Sequence, residues 1–494
     1  MKKTKVLVAN RGEIALRILR ACREMGLASV AVFTDVDEAA LHVRCADEAF
    51  PLGDKSKYLD IQAVLQAALK SGAGAIHPGY GFLAENADFA RAVENAGLTF
   101  IGPRPETVSR MGDKLAARRA ARKAGLPVIA GTDEPLPAEL PVELAEKVHY
   151  PVLVKASAGG GGRGIRLAHS PAELPAMIEA ARREAKAAFS DDTVFLESLV
   201  QQARHIEVQI LGDGLGNVIC LGERECSIQR RRQKLIEEAP APGLSPDLRL
   251  QIHEAALKLG RALKYRSLGT VEFLLDRKDR FYFIEVNPRI QVEHPVTEAV
   301  TGIDIVKEQL SIAMGEPMRK FPAVIHPRGA AIEARILAED SQVGFLPSTG
   351  TVLYLKEPGG PGVRLDSALY QGMTVGTEYD SLLAKVIVWG EDRPMAIQRL
   401  RRALHEYQVG GLSTDIDFIL QIIESPQFMS GDVTTTYLET FSPEPPSTEP
   451  DLERDLAWTA AMFVHQQRLQ QQVNSGSHQG SHWQMVAWKE QMNK

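Results

Sequence analysis

Cysteine is scarce in this chain: four residues in 494, at positions 22, 45, 220 and 226, with no Cys-x-x-Cys spacing. A disulfide framework or a cysteine-rich zinc site is therefore not expected, and a reducing cytoplasm is the simplest setting. An apolar run of the roughly 20 residues needed to cross a bilayer is missing as well. The opening segment, MKKTKVLVANRGEIAL, has lysines but no sustained apolar stretch, so it reads as a first strand and not as a signal peptide. Excess charge is lacking too. A net −6 gives no bulk reason to expect nucleic acid or an anionic membrane as a partner. The first β–α turn, Asn10-Arg11-Gly12-Glu13, has no dinucleotide fingerprint, which argues against NAD there. There is no internal repeat.

What is present is ordinary for a globular protein, with 44% hydrophobic and 24% charged residues, and 494 residues allow several domains. Residues 5–9 form a strand, and Ile14, Ile18, Leu19, Cys22 and Met25 follow at helical spacing. A strand at Ser29–Phe33 completes a βαβ unit. Alternation continues through Ala75–Ile76, a helix near Asn86–Ala96 and Leu98–Ile101, which predicts a doubly wound parallel sheet. A helix from Lys114 to Ala124 leads to a Pro-rich hinge, Ala130–Pro141. Strands then follow at Val152–Lys155, Ile165–Leu167, Thr193–Leu196 and Ile206–Leu211, with a helix at Leu248–Leu263. From Gly329, short strands (Ala330–Ile336, Thr351–Leu355, Lys385–Val388) and two helices make a further α+β unit. Ser442–Pro450 is a low-complexity linker, and Leu452–Gln472 a candidate amphipathic helix.

The most informative stretch is TVEFLLDRKDRFYFIEVNPRIQVEHP. Two β-branched and aromatic runs, Val271–Leu275 and Phe281–Val286, flank a polar turn and read as an antiparallel hairpin. A symmetric turn sets Glu272 opposite Glu285, and period-two alternation puts Glu285, Asn287 and Arg289 on one face. Facing carboxylates repel unless a cation lies between them. Mg²⁺ suits two carboxylates and an amide oxygen. A solvated acidic face is the common reading of such residues, but the flanking Phe, Tyr and Ile argue for burial.

The second feature is Lys155-Ala-Ser-Ala-Gly-Gly-Gly-Gly-Arg-Gly164. Extended residues follow it, so it opens no helix and is neither a Rossmann turn nor a P-loop. It reads as a flexible hairpin whose N–H groups close over phosphates, with Lys155 as a point charge. The segment Glu223–Lys234 is densely charged, and an anion-binding cleft fits it better than a nucleic-acid patch. Cys226 within it reads as a packed thiol.

Taken in order, these features resemble the ATP-grasp biotin carboxylases, over about residues 4 to 440. The blocks ANRGEIALRILRAC, HPGYGFLAEN, MGDK, KASAGGGGRGIR, RHIEVQ, EEAPAPG, IEVNPRIQVEHPVTE and AEDSQVGFLPSTG carry the resemblance. It implies an ATP-grasp fold, α/β and α+β, with an N-terminal domain at 1–113 and an ATP-grasp domain at 114–328 (lid about 131–203). A C-terminal domain at 329–440, a linker at 441–453 and a tail at 454–494 would complete the chain. By position, Lys114 and Lys155 would hold ATP phosphates, with Gly161 and Gly162 in the lid. Glu197 and the backbone near Val200 would bind adenine, and His205 and Gln229 would line the nucleotide site. Glu272, Glu285 and Asn287 match the ligands of Mg²⁺ or Mn²⁺. Lys234, Arg289 and the Val292 backbone match a bicarbonate pocket, Glu293 its general base, and Arg335 the stabiliser of a biotin enolate. One position departs from the family's Gln-Arg-Arg-His-Gln-Lys: Arg232 stands in the His place, and altered nucleotide contacts are expected there.

The activity implied is ATP- and bicarbonate-dependent carboxylation of biotin, via carboxyphosphate, in an acetyl-CoA, acyl-CoA or pyruvate carboxylase. Only the first two residues form a Met-Lys pair, so no Met-Lys-Met biotin acceptor occurs. The biotin carboxyl carrier protein and the carboxyltransferase subunit are therefore expected as separate chains. The resemblance also implies a homodimer formed through the first helix with Arg20 and Glu24. Two other readings compete: a different ATP-grasp ligase, tested by whether free biotin stimulates ATP cleavage, and a nucleotide-binding scaffold inactivated by Arg232.

Overall fold

The computed structural model describes residues 4–137, 146, 148–158, 164–321, 325–444 and 450–475. It divides into two units, Met1–Pro443 and Glu444–Lys494. In the first, β1 (Lys5–Val8), β2 (Ala28–Thr34), β3 (Glu48–Gly53), β4 (Ala75–His77) and β5 (Thr99–Phe100) form a parallel sheet in the order β3-β2-β1-β4-β5. Helix α1 (Gly12–Glu24) buries Ile14, Ile18, Leu19 and Cys22 against it, as their spacing predicts.

β6 (Val152–Ala156), β7 (Ile165–Ala168) and β8 (Val194–Ser198) make a small antiparallel sheet in the order β7-β6-β8. A helix at Leu174–Phe189, which the sequence reading left unassigned, covers it. Its inward face is Leu174, Ile178 and Ala181, with Ala185 one turn on; alanines carry half of the stripe and blur the hydrophobic signal.

The site is built on a single sheet of eight strands. β9 (Arg204–Asp213), β10 (Val218–Arg230), β11 (Gln233–Ala239), β12 (Arg266–Leu275), β13 (Phe281–Asn287) and β14 (Ala330–Leu337) are joined by strands Leu382–Gly390 and Val363–Ser367. Their order is β13-β12-β9-β10-β11-β14, then Leu382–Gly390 and Val363–Ser367. The sheet crosses residue 329 without a break, because Ile236 and Glu237 of β11 pair with Ala334 and Glu333 of β14. The α+β unit expected from Gly329 thus continues the sheet of the middle segment and adds helices Arg393–Glu406 and Ile416–Glu424 behind it.

The basic segment is neither loop nor edge. It is the end of β10, a turn at Arg231 and Arg232 (φ +50° and +67°), and the start of β11. Positive φ at both turn residues matches the twist of a two-residue hairpin, a conformation that arginine adopts less readily than asparagine or glycine. In the second unit a helix spans Pro450–Ser475, so it begins inside the expected linker. Proline at the first turn is compatible with a helix start. Leu456, Trp458, Met462, Phe463 and Val464 on it are exposed.

Candidate active site

The hairpin forms in the register read from the sequence: Glu272 pairs with Glu285. Register then extends the row, with Glu272 beside Glu207 of β9 and Glu207 beside Arg224 of β10. Three carboxylates and one guanidinium thus cross four adjacent strands. Arg224 is fully buried; it donates to Glu207 at 2.5 Å and also reaches Gln209, Thr297 and Thr270.

Glu272 is the most heavily bonded of the three acids. His205 Nε2 lies 2.9 Å from it, Asn287 Nδ2 donates at 2.7 Å and Lys234 at 3.3 Å. The Gln229 amide sits 2.7 Å from His205 Nδ1, which fixes the ring. Burial opposes ionisation of Glu272, but Lys234 and His205 outweigh it and hold its pKa well below the usual carboxylate range. Burial likewise lowers the His205 pKa, and Glu272 more than restores it.

Glu285 is different. No hydrogen bond or ion pair to its carboxylate is found among the described residues. Burial and then repulsion from Glu272 raise its pKa, against the weaker pull of Lys114 and Lys155. A divalent cation between Glu272 and Glu285, with the Asn287 amide at the same corner, answers that repulsion, and the all-oxygen donor set suits Mg²⁺ or Mn²⁺. Two other groups, His205–Glu207–Glu272 and Glu207–Cys226–Glu293, hold ligand atoms within 4.8 Å of one another. Lys234 already neutralises both, so the Glu272–Glu285 pair is the better metal site.

Lys114 and Lys155 face Glu285 from the other side. Lys114 opens helix Lys114–Lys123, and its N–H bonds to Ser157 at 2.9 Å, at the foot of the glycine run. Burial lowers its pKa. Lys155 is buried and donates to Glu197 at 2.6 Å; Arg118 reaches the other Glu197 oxygen at 2.6 Å. The expected adenine residue Glu197 is therefore the anchor of two cations here. Val200 follows β8 and is half-buried. Gly161 and Gly162 lie outside the described residues. Arg232, at the hairpin tip, has Arg166 of β7, Glu184 of the helix Leu174–Phe189 and Glu439 as charged neighbours.

At the other end of the row, Glu293 is fully buried between two cations. Lys234 donates to it at 2.5 Å and Arg335 at 2.8 Å. Despite burial, these cations hold the Glu293 pKa well below its ordinary value. Lys234 also donates to Glu207 at 2.7 Å, and its three glutamates overcome burial and raise its own pKa well above normal. Arg335 reaches Glu237 at 2.6 Å, whose pKa burial pushes up to about 7. Arg289 pairs with Glu85 at 2.8 Å and donates to Gln291 at 2.7 Å. The Val292 carbonyl accepts from the buried Lys385 at 2.9 Å. The sequence reading missed Glu85, Glu207, Arg224, Glu237 and Lys385. For Glu207 a signal existed: His205, Glu207 and Gln209 alternate as polar residues on a strand that turns out to be central.

Three family profiles match almost end to end. "Biotin carboxylase, N-terminal domain" covers residues 2–108, "Carbamoyl-phosphate synthase L chain, ATP binding domain" 113–321, and "Biotin carboxylase C-terminal domain" 333–440. A protein of Nostoc sp. named biotin carboxylase is 52% identical over 443 residues, 89% of this chain and 99% of its own. Biotin carboxylase 1 of Bacillus subtilis is 48% identical over 442 residues, 88% of this chain and 98% of its own. Among solved structures, the biotin carboxylase domain dimer of Hydrogenobacter thermophilus 2-oxoglutarate carboxylase matches with a TM-score of 0.86. It is 47% identical, over 88% of this chain and 97% of that one, and was solved with MgADP, ADP and bicarbonate.

Proposed function

The chain belongs to the biotin carboxylase family, and from that premise we propose how its residues divide the work of ATP-dependent biotin carboxylation. The enzyme is an ATP-dependent ligase that uses bicarbonate to carboxylate biotin. The observation that carries the assignment of residues is Glu293, fully buried and clamped by Lys234 and Arg335 at the end of the carboxylate row.

ATP phosphates lie between Lys114 and Lys155 on one side and the Glu272–Glu285 pair on the other. Glu272, Glu285 and Asn287 would hold Mg²⁺ or Mn²⁺, which would supply charge neutralisation to the phosphates. Lys155 turns from Glu197 to the phosphates, with Gly161 and Gly162 assigned to phosphate binding as the resemblance implies. Glu197, the Val200 backbone, His205 and Gln229 line the nucleotide, and Arg232 meets it from the hairpin tip. Lys234, Arg289 and the Val292 backbone orient bicarbonate, whose oxygen attacks the γ-phosphate to give carboxyphosphate. Glu293 is ionised at neutral pH and so ready to take the bicarbonate proton. As Lys234 turns to the anion and Arg335 to biotin, Glu293 loses the cations that depress its pKa and becomes a stronger base. Arg335 then stabilises the enolate-like ureido anion of biotin.

A biotin carboxyl carrier protein and a carboxyltransferase on separate chains are the partners this reading requires. A homodimer through α1 fits the dimeric relative: Arg20 is exposed there, and Glu24 pairs with Lys307 at 2.5 Å. Four free cysteines suit a cytoplasmic setting. The test is bicarbonate-dependent ATP cleavage stimulated by free biotin. Glu293→Gln is expected to keep nucleotide binding and lose biotin-dependent turnover by ~10²-fold or more. Undiminished turnover in that variant refutes the assigned base.

A further inference from the structure

Gln291, Val292 and Glu293 belong to the irregular link between β13 and helix His294–Thr301, and two buried side chains hold it from behind. His294 Nδ1 lies 2.7 Å from the Gln291 carbonyl oxygen. A carbonyl only accepts, so Nδ1 carries the proton and donates. Burial, helped by the cations of Lys385, Arg17 and Arg364, pushes the His294 pKa well below its ordinary value and keeps the ring neutral. Its one N–H therefore serves Gln291. Nε2 has no hydrogen-bond partner among the described residues, and the Glu298 carboxylate is 3.9 Å away. An apolar ring would fill the same space without stranding a buried acceptor, so the Nδ1–H bond is what the imidazole adds.

Lys385 acts one peptide further on. It is fully buried on strand Leu382–Gly390, directly opposite Arg335 of β14, and donates to the Val292 carbonyl at 2.9 Å. Glu13 at 3.1 Å and Asp366 at 3.8 Å balance its charge. Its neighbour Arg335 grips the Glu293 carboxylate at 2.8 Å. Glu293 is thus fixed at both ends, by Arg335 at its carboxylate and by Lys385 through the peptide that precedes it. Both peptides are trans, and a trans peptide is planar with its C=O and N–H pointing in opposite directions. The Gln291 carbonyl and the Val292 N–H share one peptide, so the bond from His294 aims that N–H away from the ring. The Val292 carbonyl and the Glu293 N–H share the next, so Lys385 sets the backbone from which the Glu293 side chain projects.

We propose that His294 and Lys385 are positioning residues for bicarbonate, holding two successive peptides so that the Val292 N–H and the Glu293 carboxylate converge on the anion. The inference rests on the assignment of Val292 and Glu293 to the bicarbonate pocket. Each residue acts through the backbone. Among the described residues, no side-chain hydrogen bond or ion pair of either reaches a residue assigned to ATP.

The test is steady-state kinetics of the full-length enzyme with bicarbonate and ATP varied in turn. Losing the donor in His294→Phe, or the ammonium in Lys385→Met, should raise the KM for bicarbonate about tenfold while the KM for ATP stays within about twofold. Either variant suffices if the other fails to fold. His294→Asn, whose side-chain amide can offer an N–H near the Nδ1 position, should recover most of the loss. A change that merely loosens the site moves both KM values or lowers kcat alone, and either result overturns the positioning role. So does a His294→Asn enzyme as impaired as His294→Phe. Arg289→Gln, run in parallel, checks the pocket itself, because Arg289 is assigned to touch the anion. If it raises the KM for bicarbonate and neither His294→Phe nor Lys385→Met does, the positioning role falls and the pocket stands. If Arg289→Gln leaves that KM unchanged, the pocket assignment fails and takes the inference with it.

Discussion

Replacing Glu285 with glutamine should stabilise the metal-free protein while weakening the enzyme. Glu285 and Glu272 are directly paired neighbours, so their Cβ atoms lie ~5 Å apart, and a charge separation on that order is taken for their carboxylates. At an effective dielectric constant of ~20 this gives a gross repulsion of ~3 kcal/mol. Lys114 and Lys155 offset part of it, which leaves a net penalty on the order of 1 kcal/mol. Glu285→Gln removes that penalty and keeps the shape of the side chain. In chelator, the variant should therefore melt about 1 °C above the wild type for a body of this size. Adding MgADP should reverse the order. The wild type gains ~2.7 kcal/mol at a hundredfold excess over Kd, whereas the variant gains only what ADP alone supplies. Differential scanning calorimetry in chelator, in ADP with chelator, and in MgADP separates these states. A variant less stable than wild type in chelator, with an undiminished response to Mg²⁺, would refute the reading of Glu285 as a ligand kept under repulsion.

The other expectations are simpler. Arg335→Met should leave bicarbonate-dependent ATP cleavage measurable but abolish its stimulation by biotin, because Arg335 is assigned to the biotin step; stimulation that persists counts against that role. His42 is buried, and burial lowers its pKa to about 4. The unfolded chain therefore binds the proton more tightly, and stability is lost as pH falls below ~6.5. Relative to wild type, His42→Phe should lose about 2 kcal/mol less between pH 7.5 and pH 5 in denaturant titrations. A Cβ on Gly131 would sit 2.2 Å from the Leu196 carbonyl and displace β8 beside Glu197. Gly131→Ala should thus cost about 1–3 kcal/mol and raise the KM for ATP. Removing residues 444–494 should leave melting and free-biotin turnover of the remaining protein unchanged, since the first unit closes at Pro443.

The parallel sheet and the acidic hairpin were legible because each rests on local signals. β1, α1 and β2 follow from apolar spacing, and the Glu272–Glu285 register follows from a short turn between two apolar runs. The helix Leu174–Phe189 was lost because alanines supply much of its buried stripe. The sheet that runs on across Gly329 was not legible for another reason: a change of local pattern marks where a segment begins, not which sheet it joins. β11 and β14 pair across about a hundred residues, and nothing in either strand's composition names its partner.

The same distinction explains the candidate site. Glu293, Arg289, Arg335 and Lys234 could be carried over from a family resemblance, but Glu207, Glu237 and Glu85, which pair with these cations, could not. Alternating polar residues usually mean a solvated strand face, so Glu207 and Gln209, beside the expected nucleotide residue His205, gave no signal of their own. They belong to β9, which is flanked on both sides, and Glu207 becomes the shared partner of Lys234 and Arg224. Lys234 in turn depresses both Glu272 and Glu293, the first the proposed ligand and the second the proposed base. One ammonium thus couples the metal end of the site to the bicarbonate end. Any substrate anion that draws Lys234 away must make Glu293 more basic and Glu272 less compensated at the same moment. That coupling depends on strand order, which is why motif spacing alone does not reveal it.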